Sequence, residues 1–264
     1  MRQTSLFLLF LAVAAAAAAP APVRIILVGD STVAPRNGWG PGFCAHMAPE
    51  VTCVNLAKNG RSSSSYRAEG SWAHVMDELK HNADFSATYV LIQFGHNDQP
   101  GKPGRSTDLA TEFPVNMRRY VDEVKAAGGK PVLVTPLTRR IFAGGHVKDD
   151  LEPWAAATRN VGAEAGVPVL DLHSESLAAV NKMGPVEANT LAQAPPPPEI
   201  AASASSGTSR PAPKAPPANV VEPNGNPAPV FDYTHLGEKG WEFFGRMVIG
   251  ELTRAVPDLA PYAR

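Results

Sequence analysis

Five short apolar runs recur along the chain and are typical of buried strands. They are residues 23–28, 51–56, 89–94, 132–135 and 167–172, and several are rich in β-branched side chains. Because each run is largely apolar at successive rather than alternate positions, both faces of the strand should be covered. The runs therefore predict the central parallel strands of an α/β sheet.

Segments with helical periodicity lie between and after these runs. They cover about residues 72–80, 112–127, 149–165 and 238–254. Gly128 and Gly129 mark the end of one helix, as expected for a helix C-terminus. Strands joined by crossover helices predict a doubly wound, three-layer α/β/α domain.

The first 19 residues predict a secretory signal peptide. A charged start, Met1-Arg2, precedes an apolar stretch that is short for a bilayer span and ends in small residues. A membrane anchor is the alternative, but no basic stop-transfer cluster follows. We therefore expect a secreted protein, extracellular or periplasmic, with no membrane association after cleavage and a single domain over residues 20–264.

Residues 185–229 interrupt the strand and helix pattern. Twelve of the 26 prolines fall here, among many Ala, Ser, Asn and Gly residues. This composition predicts a disordered insertion, because it offers little apolar surface to offset the entropy of ordering. The roughly 35 residues after it are too few for a second domain, so they should return to the α/β core.

The net charge bears on possible binding partners, and the cysteine content bears on cross-linking of the chain. A net charge of −1, from 24 basic and 25 acidic residues, gives no overall field for nucleic acid. Cys44 and Cys53 are the two cysteines, and in an oxidising compartment we expect them to form a disulfide. Their spacing does not match a structural zinc site.

Three candidate catalytic residues each follow one of the first three predicted strands. Ser31 lies after the first, Gly60 after the second and Asn97 after the third. Parallel sheets bind ligands at the carboxyl ends of their strands, so one crevice can hold all three. Ser31 is a candidate nucleophile, while a glycine N–H and an asparagine side chain are suitable donors to an oxyanion.

Asp232 and His235 supply the groups that would activate a serine. One turn can place the carboxylate against one imidazole nitrogen while the other nitrogen faces Ser31. Each block also has a simpler interpretation: Ser31 as a helix cap, Gly60 and Asn97 as turn formers, and Asp232 as a helix-start acid near a surface histidine. Their joint occurrence favours hydrolytic acyl transfer.

These blocks resemble the SGNH or GDSL hydrolases. The matching residues are Gly29-Asp30-Ser31, Gly60, Gly95-His96-Asn97-Asp98 and Asp232-x-x-His235. Gly29-Asp30-Ser31-Thr32, Gly38-Trp39-Gly40 and Gly60-Arg61-Ser62-Ser63 resemble the rhamnogalacturonan acetylesterase branch more closely.

The resemblance implies a flavodoxin-like sheet of five parallel strands and a serine acyl-enzyme mechanism without metal or other cofactor. It implies a triad of Ser31, Asp232 and His235, and an oxyanion hole formed by Ser31 N–H, Gly60 N–H and the Asn97 side chain. The implied reaction is deacetylation of a cell-wall polysaccharide, and rhamnogalacturonan or pectin is the first candidate substrate.

Other sequence features bear on substrate and alternatives. Trp39, Tyr66 and Tyr233 lie beside the catalytic blocks and are candidate sugar contacts, although packing is an equal alternative.

The α/β-hydrolase fold is disfavoured because no Gly-x-Ser-x-Gly is present. The remaining histidines, including His173, lack the spacing of metal ligands and are interpreted as structural or solvent-facing. We expect a monomer; a general esterase or lipase, or a carbohydrate-binding pseudoenzyme, stays an alternative.

Overall fold

The computed structural model describes residues 22–213 and 228–264, and a parallel sheet lies at its centre. The strands are β1 (Val23–Gly29), β2 (Val51–Asn55), β3 (Ala87–Gln93), β4 (Lys130–Val134), β5 (Phe142–Ala143), β6 (His146–Val147) and β7 (Val169–Leu170). Five of them form the central sheet in the order β2-β1-β3-β4-β7, with all neighbours parallel. The predicted α/β fold with five parallel strands is confirmed, and β5 and β6 form a separate hairpin.

Helices cover both faces of this sheet. They are α1 (Gly40–Ala45), α2 (Ser65–Ala68), α3 (Ser71–Leu79), α4 (Phe113–Ala126), α5 (Glu152–Ala165), α6 (Leu172–Asn189), α7 (Pro198–Ala204) and α8 (Glu238–Ala255), with 3-10 turns at Asn82–Asp84 and Pro257–Tyr262. The four predicted helices correspond to α3, α4, α5 and α8.

The apolar strands divide their side chains between two hydrophobic clusters. In β1, Ile25 and Leu27 join one cluster, which includes Phe244 and Val248 of α8. The alternate residues Ile26 and Val28 join the other, with side chains from α3, α4 and α5. Successive strand side chains point to opposite faces, so a run buried on both faces must be apolar throughout.

The last strand is shorter than its apolar run predicts. Only Val169–Leu170 pairs with β4, and α6 begins at Leu172. The N–H of His173 donates to Thr135 Oγ1 at 2.8 Å, and Thr135 Oγ1 donates to Asp171 Oδ1 at 3.0 Å. These side-chain bonds replace the sheet ladder, so the chain turns into a helix where more strand was predicted.

The prediction of disorder over 185–229 is wrong for residues 185–213. Helix α6 continues to Asn189 through a kink at Gly184, and α7 follows the proline run. Leu191 is buried in the cluster that contains Phe244 and Val248, and Ile200 is buried against Phe231. A few well-placed apolar side chains order this segment despite its composition, while residues 214–227 lie outside the described residues.

The predicted disulfide between Cys44 and Cys53 is present, with Cα atoms 5.6 Å apart. It joins the end of α1 to β2, which is an edge strand of the sheet. Both cysteines pack against the cluster around Phe43 and Phe244. The bridge therefore ties the short helix after the Ser31 block to the sheet.

The predicted signal peptide, residues 1–19, lies outside the described residues. Within residues 22–213 and 228–264, no helix combines the length and apolar character needed to cross a membrane.

Candidate active site

A pocket of about 1000 Å³ opens at the carboxyl ends of the first three strands of the chain. Ser31, Gly60 and Asn97 all line it, each from the loop that follows β1, β2 or β3. Asp232 and His235 line the same pocket from the segment before α8. The structure thus brings together all five residues that the sequence selected for acyl-transfer chemistry.

A hydrogen-bonded chain connects Ser31, His235 and Asp232. His235 Nδ1 lies 2.6 Å from Asp232 Oδ2, and His235 Nε2 lies 2.9 Å from Ser31 Oγ. Because a carboxylate oxygen accepts, Nδ1 carries the proton and Nε2 accepts from the serine hydroxyl. This arrangement can remove the Ser31 proton as the oxygen attacks a carbonyl.

Asp232 is held in its ionised form. Burial alone raises the pKa of the Asp232 carboxyl, but the hydrogen bond and charge of His235 and two backbone N–H groups bring the pKa below its usual value. The N–H groups of Thr234 and His235 donate to Asp232 Oδ1 at 2.7 and 2.6 Å. Gln193 Nε2 adds a bond of 3.2 Å to Oδ2. The carboxylate can therefore fix the orientation of the imidazole.

Three N–H donors are available beside Ser31. Within residues 22–213 and 228–264, the backbone N–H groups of Ser31 and Gly60 donate to no protein acceptor. Asn97 Nδ2 uses one hydrogen for Arg61 O at 3.1 Å and keeps a second. Gly60 has φ +75°, a conformation in which a side chain would be strained. Donors of this kind suit a developing oxyanion.

Buried Asp98 joins the loops that carry Gly60 and Asn97. Its carboxylate accepts bonds from Ser63 Oγ at 2.6 Å, Thr107 Oγ1 at 3.0 Å and Gly95 N at 3.1 Å. Burial raises the pKa of Asp98 to about 6, and the donors from Ser63 and Thr107 oppose that rise. Asp98 thus holds the loop that carries Gly60 against the loop that carries Asn97.

A second buried network fixes the turn that carries Ser31. Asp30 Oδ1 accepts from the N–H of Thr32 at 2.8 Å and from its hydroxyl at 2.7 Å. Gln93 donates to Thr32 Oγ1 at 2.5 Å and accepts from Trp39 Nε1 at 2.9 Å. The pKa of Asp30 lies below its usual value, because His96 and Thr32 outweigh the effect of burial. Hydrogen bonds therefore connect Asp30, Thr32, Gln93 and Trp39 in series.

The three aromatic residues predicted as sugar contacts do not line the pocket. Trp39 and Tyr66 are fully buried, and Tyr233 is nearly so. Tyr66 donates to Leu56 O and Tyr233 to Arg210 O, both at 2.8 Å. That prediction is wrong because closeness to a catalytic block in sequence does not decide which way a large ring points, and these rings point into the protein.

Other residues of the pocket are not marked by any motif in the sequence. Phe231 and Trp241 are its aromatic residues, and Trp241 lies on α8, six positions after His235. Its basic residues are Arg36, Lys102, Arg105 and Arg139. The sequence gives little sign of these basic residues. Lys102 and Arg105 lie in a Gly- and Pro-containing loop that has no motif, and a net charge near zero does not reveal a local excess of positive charge.

One group of side chains in the described residues has the composition of a metal site. Asp149, Glu152 and His173 place one potential ligand atom each within 4.8 Å of one another. His173 is buried, with Nδ1 3.1 Å from Pro136 O and Nε2 2.8 Å from Asp149 Oδ1. Glu152 also pairs with Arg159. These contacts give the group a structural role, and it lies outside the pocket lining.

Comparison with known proteins identifies relatives. Residues 27–191 match the GDSL-like lipase/acylhydrolase family. A rhamnogalacturonan acetylesterase of Bacillus subtilis, RhgT, is 33% identical over 177 residues, which are 64% of this chain and 73% of that protein. A probable rhamnogalacturonan acetylesterase of the same organism, YesY, is 29% identical over 168 residues, 61% of this chain and 75% of that protein.

Solved structures share the fold. The Bacillus subtilis protein YXIM superposes with a TM-score of 0.62 at 22% identity over 88% of this chain, which spans only 56% of that longer protein. A variant of the acetylxylan esterase Axe2 from Geobacillus stearothermophilus gives 0.53 at 13% identity, covering 87% of this chain and 93% of that one. At these identities the likeness concerns the fold alone.

Replacing either Ser31 or His235 with alanine should reduce turnover of an aryl acetate by at least about 10³-fold, because members of a triad act as one unit. The measurement is phenol release at saturating substrate, with the thermal melt recorded for each variant. Ser174→Ala is the matched control, because Ser174 is exposed and outside the pocket. Near-wild-type turnover in Ser31→Ala or His235→Ala would end the triad assignment.

Asn97→Ala should lower kcat by about 10² to 10³-fold and leave KM nearly unchanged, because it removes a donor used in the transition state. Steady-state kinetics on the same aryl acetate separate the two parameters. A loss confined to KM would instead make Asn97 a contact to the bound substrate.

Proposed function

The chain belongs to the GDSL-like lipase/acylhydrolase family of ester hydrolases, and we propose that it is a carbohydrate acetylesterase acting through a Ser31 acyl-enzyme. The observation that carries the proposal is the chain of hydrogen bonds from Asp232 through His235 to Ser31, beside the N–H groups of Ser31 and Gly60, which have no acceptor in the described part of the chain. The names of RhgT and YesY support acetylated rhamnogalacturonan as the substrate.

The mechanism follows from the positions of these groups. Ser31 Oγ attacks the acetyl carbonyl while His235 Nε2 takes the serine proton, and the Asp232 carboxylate holds and stabilises the imidazolium. The N–H groups of Ser31 and Gly60 and the Asn97 amide bind the oxyanion of the tetrahedral intermediate. His235 returns the proton to the departing sugar hydroxyl. Water activated by His235 then attacks the acetyl-enzyme, releases acetate and restores Ser31.

Basic side chains on the pocket wall favour an acidic polysaccharide over a neutral one. Lys102, Arg105 and Arg139 line the pocket, whereas its acidic lining residues are Asp232, which is committed to His235, and Glu238. Arg139 already pairs with Asp150. Besides Arg36, the pocket's positive charge comes from Lys102 and Arg105.

Neither of these two side chains has a carboxylate partner among the described residues. Arg105 Nη1 donates to Asn97 Oδ1 at 3.2 Å and to Gly60 O at 3.3 Å, both neutral oxygens. For the Lys102 ammonium, the described residues provide no hydrogen bond and no ion pair. Partial burial, followed by the charges of Arg139 and Arg105, lowers the pKa of Lys102, and the charge of Asp150 offsets only part of this fall. A uronate carboxylate would give the ammonium a direct partner.

Acetate release from acetylated rhamnogalacturonan should exceed that from acetylated xylan, and Lys102→Gln should reduce the preference by about tenfold, the effect of one charge-assisted hydrogen bond. Most of the change should appear in KM for the acidic polymer and should weaken at high salt. Lys130→Gln is the control, because Lys130 begins β4 at the other end of the sheet. An unchanged preference in Lys102→Gln would refute the acidic-substrate assignment, and absence of acetate from both polymers would favour the binding-protein alternative.

Export is part of the proposal, supported by the leader-like residues 1–19 and by the Cys44–Cys53 bridge. Intact-mass analysis of protein collected outside the cytoplasm should show a chain beginning near residue 20 and about 2 Da lighter than its reduced form. Retention of the full-length chain in the cytoplasm with both thiols free would contradict it.

A further inference from the structure

Arg140 is a fully buried arginine that contacts the Asp232–His235 segment through its main chain and its side chain. Its guanidinium donates from Nη2 to Asp232 O at 3.0 Å and to His235 O at 2.8 Å, and from Nη1 to Thr234 O at 3.3 Å. Its backbone N–H donates to Tyr233 O at 2.8 Å. Every carbonyl oxygen of the segment therefore accepts a hydrogen bond from this one residue.

Burying the charged guanidinium of Arg140 here costs desolvation free energy. Burial lowers the pKa of Arg140 to about 10 against the opposing effect of the Asp232 charge, so the side chain stays charged at neutral pH. The described residues offer it carbonyl oxygens and no carboxylate within ion-pair distance, and Nε has no hydrogen-bond partner there. A buried charge without a paired acid is a poor device for stability alone.

The Asp232–His235 segment needs an external support. It belongs to no helix and to no strand of the central sheet, and it precedes α8. Arg140 lies in the loop between β4 and β5, where the N–H of Thr138 donates to Ser176 Oγ of α6 at 3.1 Å. The segment has other contacts besides. Gln193 reaches Asp232 Oδ2 at 3.2 Å and donates through its N–H to His235 O at 3.3 Å, and the Tyr233 hydroxyl donates to Arg210 O at 2.8 Å.

We propose that Arg140 is the positioning residue of the catalytic Asp-His segment, whose planar guanidinium sets the distance between His235 Nε2 and Ser31 Oγ. Three of the four carbonyls converge on its fork, which no other side chain can match in shape and number of donors. A shift of the segment by about 1 Å would break the 2.9 Å contact with Ser31. The kinetic consequence rests on the proposed function, whereas the positioning itself does not.

Arg140→Gln should lower kcat on an aryl acetate by about 10²-fold per folded molecule, with KM changed by less than about threefold, because geometry is lost and the pocket wall stays. Arg140→Lys keeps the charge but not the fork, and should lose about tenfold. Arg24→Gln is the matched control: Arg24 is also buried, at the amino end of β1, where it bonds Glu78 and Asn82. It should lower the melting temperature and leave kcat unchanged.

Proton NMR of the His235 Nδ1–H, which bonds Asp232 at 2.6 Å, provides a readout that needs no turnover. A strongly downfield resonance should be present in the wild type and in Arg24→Gln, and should be shifted or lost in the Arg140 variants. If the wild type hydrolyses no ester yet shows this pattern, the proposed function fails and the positioning role stands. If Arg140→Gln does not fold, Arg140→Lys carries both measurements. Wild-type kcat with an unchanged resonance in a folded Arg140 variant overturns the proposal.

Discussion

The parallel pairing of β1 with both β2 and β3 is the constraint on which the catalytic face depends. Val23 of β1 is in register with Val51 of β2 and with Ala87 of β3, so the three strands advance together and end at one edge. The loop after each strand then brings one of the three candidate catalytic residues, Ser31, Gly60 and Asn97, to the pocket. Alternate side chains of β1 are buried in opposite clusters and both faces are apolar, so a one-residue change of register between β1 and its neighbours would expose no polar face. It would still misplace Ser31 relative to Asn97.

The other half of the site does not come from the sheet. Asp232 and His235 lie on a segment without regular secondary structure, and side chains from distant parts of the chain determine its path. Gln193 holds it from one side, and Arg140 satisfies its carbonyl oxygens from the loop after β4. The central strands therefore fix the positions of Ser31, Gly60 and Asn97, while buried polar contacts fix those of Asp232 and His235.

Chemistry and specificity are carried by different features of the pocket. Hydrogen bonds among Ser31, His235 and Asp232 suit ester hydrolysis in general, and family membership agrees with that reading. In the proposed function, the basic wall around Lys102 and Arg105 favours an acidic substrate over a neutral one. Its charge is local, since the chain as a whole has a net charge of −1. Composition excluded a broad basic surface and could not reveal a small group of cations converging from separate loops.

The sequence by itself determined the α/β class, the approximate strand positions and the candidate catalytic residues, because apolar runs and short motifs are local features of a chain. Tertiary structure alone decided which neighbours of those blocks face the pocket. Trp39, Tyr66 and Tyr233 turn inward, whereas Trp241 and Lys102 reach the pocket from elements that no motif marked. It also decided that residues 185–213 are ordered, through burial of Leu191 and Ile200. Side-chain direction and burial depend on contacts between residues far apart in sequence, and neither periodicity nor composition records those contacts.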